Sequence, residues 1–179
     1  IWNSIITPLN KETLKVNYRA DNETIISKFL KIPEKTDLDL KNWDYLNGII
    51  SIWKTQLITS PTKILFYGAK GCGKTSLSLS LLDSIGLNVF SPVEEDLDSY
   101  LIAVRIIKNI NNSALLVNES KELFKNPKIL KNIDYNLIWN VENLEDIPEN
   151  YLKQFDYIYN LSEIPFENRL EFSKSKFID

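Results

Sequence analysis

One short stretch of the sequence combines glycines, a lysine and a hydroxyl in a way that can hold a chain of phosphate groups. The pattern G-x-x-x-x-G-K-[ST] is matched by Gly68, Gly73, Lys74 and Thr75. Glycines let the backbone turn tightly, so that successive N–H groups point inward around a phosphate at the positive end of a helix. The sequence therefore predicts a phosphate-binding loop.

The two polar side chains of this loop have roles that their positions explain. Lys74 would place a positive charge between the β- and γ-phosphates of a nucleotide, and the Thr75 hydroxyl would bind the Mg²⁺ that they carry. The alternative is a glycine-rich turn that binds nothing, which the order of strand, loop, Lys-Thr and helix disfavours. The predicted nucleotide contacts are Gly68, Ala69, Lys70, Gly71, Cys72, Gly73, Lys74, Thr75 and Ser76, with Thr75 also the metal ligand.

The elements around the loop alternate between strand-like and helix-like patterns. Such alternation implies crossover connections, and therefore an α/β fold with a parallel sheet flanked by helices. Apolar β-like runs predict strands at 64–67, 87–90, 114–117, 136–141 and 157–161. Helical spacing of apolar residues predicts helices at 40–57, 76–85, 96–110, 121–130, 148–154 and from 165 onward.

The composition of the 179-residue chain excludes several classes of protein. With 44% hydrophobic residues and a net charge of −3, it can bury a core and is not expected to bind nucleic acid over its whole surface. It has one cysteine, Cys72, and no histidine, so a disulfide framework and a Cys/His zinc site are excluded. We expect a reducing intracellular compartment, cytoplasmic or nuclear. No apolar run approaches the ~20 residues that span a bilayer, so no membrane span is predicted.

The chain divides into two predicted regions. Residues 1–39 mix short apolar runs with charges and prolines, and are interpreted as an N-terminal arm or the tail of a preceding domain, with a helix predicted at 23–30. Residues 40–179 are interpreted as the nucleotide-binding core.

Segments on both sides of the loop resemble the AAA+ ATPase superfamily. Residues 113–119 (SALLVNE) resemble its hhhhDE stretch, and residues 147–156 (IPENYLKQFD) look like its "lP..l..rFD" segment. Residues 165–170 (PFENRL) are similar to its "P..eRl.i" stretch, and residues 45–48 (YLNG) sit where the AAA branch has its "i.G" adenine-pocket turn. The resemblance implies an AAA+ core that binds ATP and Mg²⁺, with Asn47 and Gly48 beside the adenine.

The resemblance also assigns catalytic candidates, and one of them departs from the family. In AAA+ proteins the aspartate of hhhhDE holds the hydration shell of Mg²⁺ and the glutamate polarises the attacking water. Here Asn118 replaces the aspartate, while Glu119 remains. An amide accepts a hydrogen bond from metal-bound water but adds no negative charge, so Mg²⁺ should be held less well. The polar sensor residue after the fourth strand of the family would be Asn140 or Asn143, with Asn140 our catalytic candidate.

Other family features are missing from the sequence. Lys153 and Gln154 stand where the family has its arginine finger, a residue worth roughly 10³ to 10⁵ in turnover. Residues 90–100 lack an aromatic-Gly pore loop, and a helical lid is not expected within the given residues. The resemblance then implies an ATP-binding module with weak or absent hydrolysis, in an oligomeric ring or a tandem-ATPase remodelling machine. Its partners would be other AAA+ subunits or a second ATPase domain, and its client, protein or DNA, stays open.

Other classes of enzyme also contain this phosphate-binding loop. A small-molecule kinase usually needs several lid arginines, and a GTPase needs an N-K-x-D motif that the sequence does not contain. A viral superfamily 3-like or clamp-loader-like replication ATPase or helicase is the alternative that remains. It must turn over ATP, whereas a structural subunit need only bind it.

Overall fold

The computed structural model describes residues 27–94, 96–119, 123–124, 130 and 133–161. Its strands are β1 (Leu30–Lys31), β2 (Lys63–Tyr67), β3 (Asn88–Pro92), β4 (Ser113–Asn118), β5 (Asn136–Val141) and β6 (Tyr157–Asn160). Its α-helices are α1 (Asn47–Thr59), α2 (Lys74–Asp83), α3 (Leu97–Ile107) and α4 (Glu149–Leu152), and 3₁₀ helices occur at Leu40–Leu46 and Leu144–Asp146.

The strands form one sheet in the order β1-β3-β4-β5-β2-β6. The neighbours from β3 to β6 run parallel, and β1 pairs with β3 in the antiparallel direction. Parallel neighbours need crossover connections, which the helices supply. The predicted α/β fold with a parallel sheet flanked by helices is therefore confirmed.

Apolar side chains cover both faces of the sheet, which explains why its central strands β4 and β5 consist mostly of apolar residues. All residues of β5 are buried. On one face Trp53 of α1 packs edge-on against Phe66 and Tyr159, with ring centroids 5.1 and 5.3 Å apart. On the other face Trp139 stacks on Phe124 at 4.6 Å. Such aromatic pairs add to the free energy gained by burying their area.

The predicted helix at 40–57 is divided in the structure. A 3₁₀ helix runs to Leu46, and the backbone leaves helical geometry at Trp43, with φ −116° and ψ 33°. The α-helix then begins at Asn47 and continues to Thr59. Trp43 is completely buried, so the kink accompanies the burial of this large side chain. Helical spacing alone did not reveal the break.

The predicted strand at 87–90 also differs, because the structure extends it through Ser91 and Pro92. Proline has no N–H and is usually excluded from central strands. Pairing between β3 and β4 ends at Phe90, so β4 needs no N–H from Pro92. On its other side Pro92 lies opposite Leu30 of the short strand β1.

The remaining predicted elements fall into two groups. The strand predicted at 136–141 occurs with those ends, and the elements predicted at 64–67, 76–85, 96–110, 114–117, 148–154 and 157–161 occur with shifted ends. Asp96 caps α3 by accepting from the Ser99 N–H at 2.9 Å. Most of the helices predicted at 23–30 and 121–130, and all of the one from 165, lie outside the described residues. Within the described ranges, no helix has the length and apolar character that crossing a membrane requires.

The edge strand β6 is attached to β2 through the residue that precedes it. Asp156 Oδ2 accepts from the Lys63 N–H at 2.7 Å, and the Asp156 N–H donates to the Lys63 carbonyl at 2.9 Å. The same carboxylate oxygen lies 3.6 Å from Lys63 Nζ. A hydrogen bond to a charged acceptor is stronger than one between neutral groups. Asp156 therefore helps to fix the register of this edge.

We expect Asp156→Ala to lower the free energy of unfolding by about 1–2 kcal/mol, because the Lys63 N–H loses its charged acceptor. Asp134→Ala is the matched control, since it removes a carboxylate that forms an exposed ion pair with Lys108 at 3.0 Å. Losing that pair should change the free energy by no more than about 0.5 kcal/mol. Urea denaturation measures both variants, and equal losses would contradict the role given to Asp156.

Candidate nucleotide-binding site

The loop between β2 and α2 adopts backbone angles that favour glycine. Gly68, Gly71 and Gly73 have φ values of 147°, 81° and 93°. Side chains are strained at such angles, so the three glycines allow this tight turn. The Gly68 N–H lies 3.2 Å from the carbonyl oxygen of Val141 and 3.1 Å from that of Glu142, which joins the start of the loop to the end of β5.

The end of the loop presents main-chain N–H groups at the start of α2. Within the part of the chain that the structure describes, the N–H groups of residues 73–76 have no acceptor, whereas the Leu77 N–H donates to the Gly73 carbonyl at 2.8 Å. Free N–H groups and the helix dipole together make a helix N-terminus attractive to anions. This end of the loop can therefore hold a phosphate group.

The side chain of Lys74 lies over the loop and is almost completely buried, with 7% of its surface exposed. Its ammonium group donates to the carbonyl oxygens of Gly68 at 2.6 Å and Ala69 at 2.9 Å, and lies 3.7 Å from Cys72 Sγ. Three acceptors thus surround the three donors of the ammonium group. Cys72 is a half-buried free thiol that packs against the apolar cluster on this face.

The side chains of α2 and of the adjacent strand ends form a hydrogen-bonded chain beneath the loop. Thr75 Oγ1 donates to Asn118 Oδ1 at 3.2 Å, and Asn140 Nδ2 donates to the same oxygen at 2.9 Å. Ser78 Oγ lies 3.2 Å from Asn140 Oδ1 and 2.8 Å from the Lys74 carbonyl. The structure therefore brings together the predicted residues Thr75, Asn118 and Asn140. Sequence reasoning missed Ser78, because a serine in a helix that also contains Ser76 and Ser80 gives no local signal of this contact.

The two candidate sensor residues lie in different surroundings. Asn140 is buried, with 1% of its surface exposed, and its amide contacts Ser78 and Asn118. Asn143 is exposed at the start of the 3₁₀ helix Leu144–Asp146, and its Nδ2 lies 3.5 Å from Asp146 Oδ2. Asn140 therefore belongs to the hydrogen-bonded chain with Asn118 and Ser78, and its predicted catalytic role stays a prediction.

Glu119 follows β4 directly and is exposed. Its φ is 52°, a left-handed conformation that non-glycine residues seldom adopt. Its N–H donates to the Asn140 carbonyl at 2.8 Å, which holds this turn against β5. Backbone strain of this kind is often found at functional sites.

The predicted adenine-binding residues lie where the 3₁₀ helix meets α1. Asn47 begins α1, and its Nδ2 lies 3.4 Å from Asp44 Oδ1. A Cβ added at Gly48 would meet nothing within 4 Å, so the surface beside it is open. Nearby, burial raises the pKa of Tyr45, and Tyr159 and Cys72 raise it further. The Tyr45 phenol therefore stays protonated at neutral pH. Sequence reasoning did not single out this residue.

The two residues aligned with the arginine finger, Lys153 and Gln154, follow α4 directly and contact residues of the preceding turn. Lys153 Nζ forms an exposed ion pair with Glu149 Oε1 at 2.7 Å, one turn earlier. Gln154 Nε2 donates to the Asn150 carbonyl at 2.9 Å. Both side chains therefore have partners four residues earlier, an ion pair for Lys153 and a hydrogen bond for Gln154.

Few side chains near the loop could bind a metal ion. The described residues contain no group of three or more His, Cys, Asp or Glu side chains that could hold one. The oxygens of Thr75 and Asn118, 3.2 Å apart beside the loop, are of the type that Mg²⁺ prefers. The arrangement fits a Mg²⁺ ion that is also bound by phosphate oxygens.

Gly71→Ala should lower the free energy of unfolding by about 1–2 kcal/mol. The added Cβ meets nothing within 4 Å, so the loss comes from a side chain at φ 81°. Gly48→Ala is the matched control, because it also meets nothing but lies in a helix. It should raise the free energy of unfolding by about 0.5–1 kcal/mol. Both are measured by urea denaturation. Stabilisation by Gly71→Ala would show that the loop does not need its left-handed backbone.

The sequence has no match among protein-family models or curated proteins.

Solved structures do match the fold. The FIGL-1 AAA domain in complex with ADP matches with a TM-score of 0.62 and 10% identity, over 89% of this chain and 68% of that one. Another FIGL-1 AAA domain structure matches with a TM-score of 0.62 and 13% identity, over 94% and 69%. The Thermotoga maritima RuvB P216G mutant matches with a TM-score of 0.58 and 16% identity, over 73% of this chain and 48% of RuvB. This chain thus spans about half of RuvB, and it has the fold of the AAA+ P-loop ATPases.

Proposed function

We propose that this chain is an ATP-binding AAA+ module with weak or absent hydrolysis. The observation that carries the proposal is the combination of free N–H groups at residues 73–76 with the buried ammonium of Lys74. The ADP in one FIGL-1 AAA domain structure supports it as well. At the end of β4, by contrast, the site contains Asn118, a neutral amide, and not a carboxylate.

Binding would begin with the phosphates. The N–H groups that close the loop would donate to the β-phosphate, and Lys74 would exchange the carbonyls of Gly68 and Ala69 for phosphate oxygens. Charged acceptors form stronger hydrogen bonds with an ammonium than neutral carbonyls do. The exchange therefore favours a bound triphosphate.

The residues that would hold a Mg²⁺ ion beside the phosphates are Thr75 and Asn118. Thr75 would supply one oxygen ligand, and Asn118 would accept a hydrogen bond from the ion's hydration shell. Bound there, Mg²⁺ supplies the charge that neutralises the phosphates. Asn118 contributes an oxygen but no negative charge, so we expect weaker metal retention than with an aspartate.

The adenine would lie against the junction of the 3₁₀ helix and α1. Gly48 leaves open space there, and Tyr45 offers an exposed ring and a protonated hydroxyl. Asn47 adds an amide that can read a base edge. These residues would complete the nucleotide pocket at the end opposite Asn118.

Any hydrolysis would use Glu119 as the base that activates water. Glu119 is exposed at the end of β4, where its carboxylate can reach solvent. The weak points are the neutral Asn118 and the absence of an arginine at Lys153 and Gln154. These features favour a subunit that binds ATP and leaves turnover to neighbours in a ring or a tandem array. The alternative function, a superfamily 3-like or clamp-loader-like replication ATPase or helicase, would require turnover by this chain.

Lys74→Ala should weaken binding of a fluorescent ATP analogue by about 100-fold or more, because charge-assisted contacts to the phosphates are lost. Lys41→Ala removes the same charge from a side chain that is 85% exposed, and should leave the affinity unchanged. Fluorescence titration measures both. Unchanged affinity in Lys74→Ala would rule out the assigned site.

Asn118→Asp should raise the steady-state ATPase rate by about tenfold, or about 1.4 kcal/mol, because the carboxylate holds the metal more firmly. The double variant with Glu119→Gln should lose this gain, since the proposed base is gone. Phosphate release at saturating Mg-ATP measures both. A flat or lower rate in Asn118→Asp would contradict the role given to Asn118.

A further inference from the structure

The amide of Asn118 can face Thr75 with either its oxygen or its nitrogen. In the structure the oxygen faces Thr75, and the same oxygen accepts from Asn140 Nδ2 at 2.9 Å. We infer that Asn140 is a positioning residue that keeps the oxygen of Asn118 turned toward the metal position. This inference rests on the proposed nucleotide site and deepens it.

The need for such a residue follows from the shape of an amide. A carboxylate presents an acceptor whichever way it is turned, whereas an amide presents an acceptor one way and a donor the other. A Thr75 oxygen that holds a cation must donate its proton to another group, and Asn118 Oδ1 lies 3.2 Å away. With the amide reversed, Nδ2 would face Thr75 and the expected metal. An asparagine at this position therefore works only if its orientation is fixed.

Asn140 can fix this orientation because of its own surroundings. It lies directly opposite Asn118 in the parallel register of β4 and β5, and only 1% of its surface is exposed. Its Nδ2 donates to Asn118, while its Oδ1 lies 3.2 Å from Ser78 Oγ. A buried amide keeps the orientation that satisfies both of its polar atoms.

The observed orientation, with Asn140 Oδ1 facing Ser78 Oγ, requires Ser78 to donate its proton to that oxygen. Its single hydroxyl proton lies within reach of Asn140 Oδ1 at 3.2 Å and of the Lys74 carbonyl at 2.8 Å. If Ser78 donates only to Lys74, its oxygen can accept from Asn140, and both amides can turn over. If Ser78 donates to Asn140 Oδ1, then Asn140 Nδ2 faces Asn118 and donates to its Oδ1. The chain from buried Ser78 and Asn140 through partly buried Asn118 to exposed Thr75 thus links a helix hydroxyl to the metal position.

The test compares the effect of Mg²⁺ on nucleotide affinity in two backgrounds. A fluorescent ADP analogue is titrated with Mg²⁺ and with EDTA against the parent, Asn140→Leu, Asn118→Asp and the double variant. The gain in affinity from Mg²⁺ should fall roughly two- to tenfold on Asn140→Leu when residue 118 is Asn, the range expected for one hydrogen bond. With Asp at 118, Asn140→Leu should change the gain by less than about twofold, because a carboxylate needs no orienting donor.

A second variant, Ser78→Ala, tests the same inference in case Asn140→Leu does not fold. Ser78→Ala removes the hydroxyl that orients Asn140, and should reduce the Mg²⁺ gain in the Asn118 background but not with Asp at 118. Equal losses in both backgrounds, or no loss in the Asn118 background, would overturn the inference while leaving the nucleotide site intact. If the parent does not bind the analogue at all, the proposed function itself fails.

Discussion

Parallel register is the constraint on which the candidate site depends. Phe66 of β2 lies opposite Asn140 of β5, which lies opposite Asn118 of β4. Because these strands are parallel, their carboxyl ends meet at one edge of the sheet, beside the loop that follows β2. A shift of one residue would turn Asn118 and Asn140 toward opposite faces and separate them.

Burial of Asn140 favours the one strand arrangement in which its amide has hydrogen-bond partners. Only 1% of the surface of Asn140 is exposed, and a buried amide without partners would be costly. Its bonds to Asn118 and Ser78 remove that cost, and they also connect the sheet to α2. Asn136, at the other end of β5, makes a similar connection by accepting from the Thr62 N–H at 3.0 Å and donating to the Leu57 carbonyl at 3.0 Å. Polar residues within β5 thus fix its neighbours at both ends of the strand.

The candidate site has more positive than negative charge. Free N–H groups, the helix dipole and Lys74 create positive potential at the start of α2. Asn118 places no negative charge beside it, and Glu119 is exposed to solvent. This balance favours holding phosphates over assembling a tightly bound metal and a catalytic water. It explains why binding without efficient turnover is the function that we propose.

The phosphate loop and the alternation of strands and helices could be predicted from the residue pattern, because the glycine spacing and the apolar periodicity are local signals. The same pattern located the Asn-Glu pair at the end of β4. The folded structure was needed to establish which asparagine meets Asn118, how Ser78 joins them, and where the helix at 40–57 kinks. Those outcomes depend on strand register and on packing between elements distant in sequence, such as Ser78 and Asn140, and no local pattern contains that information.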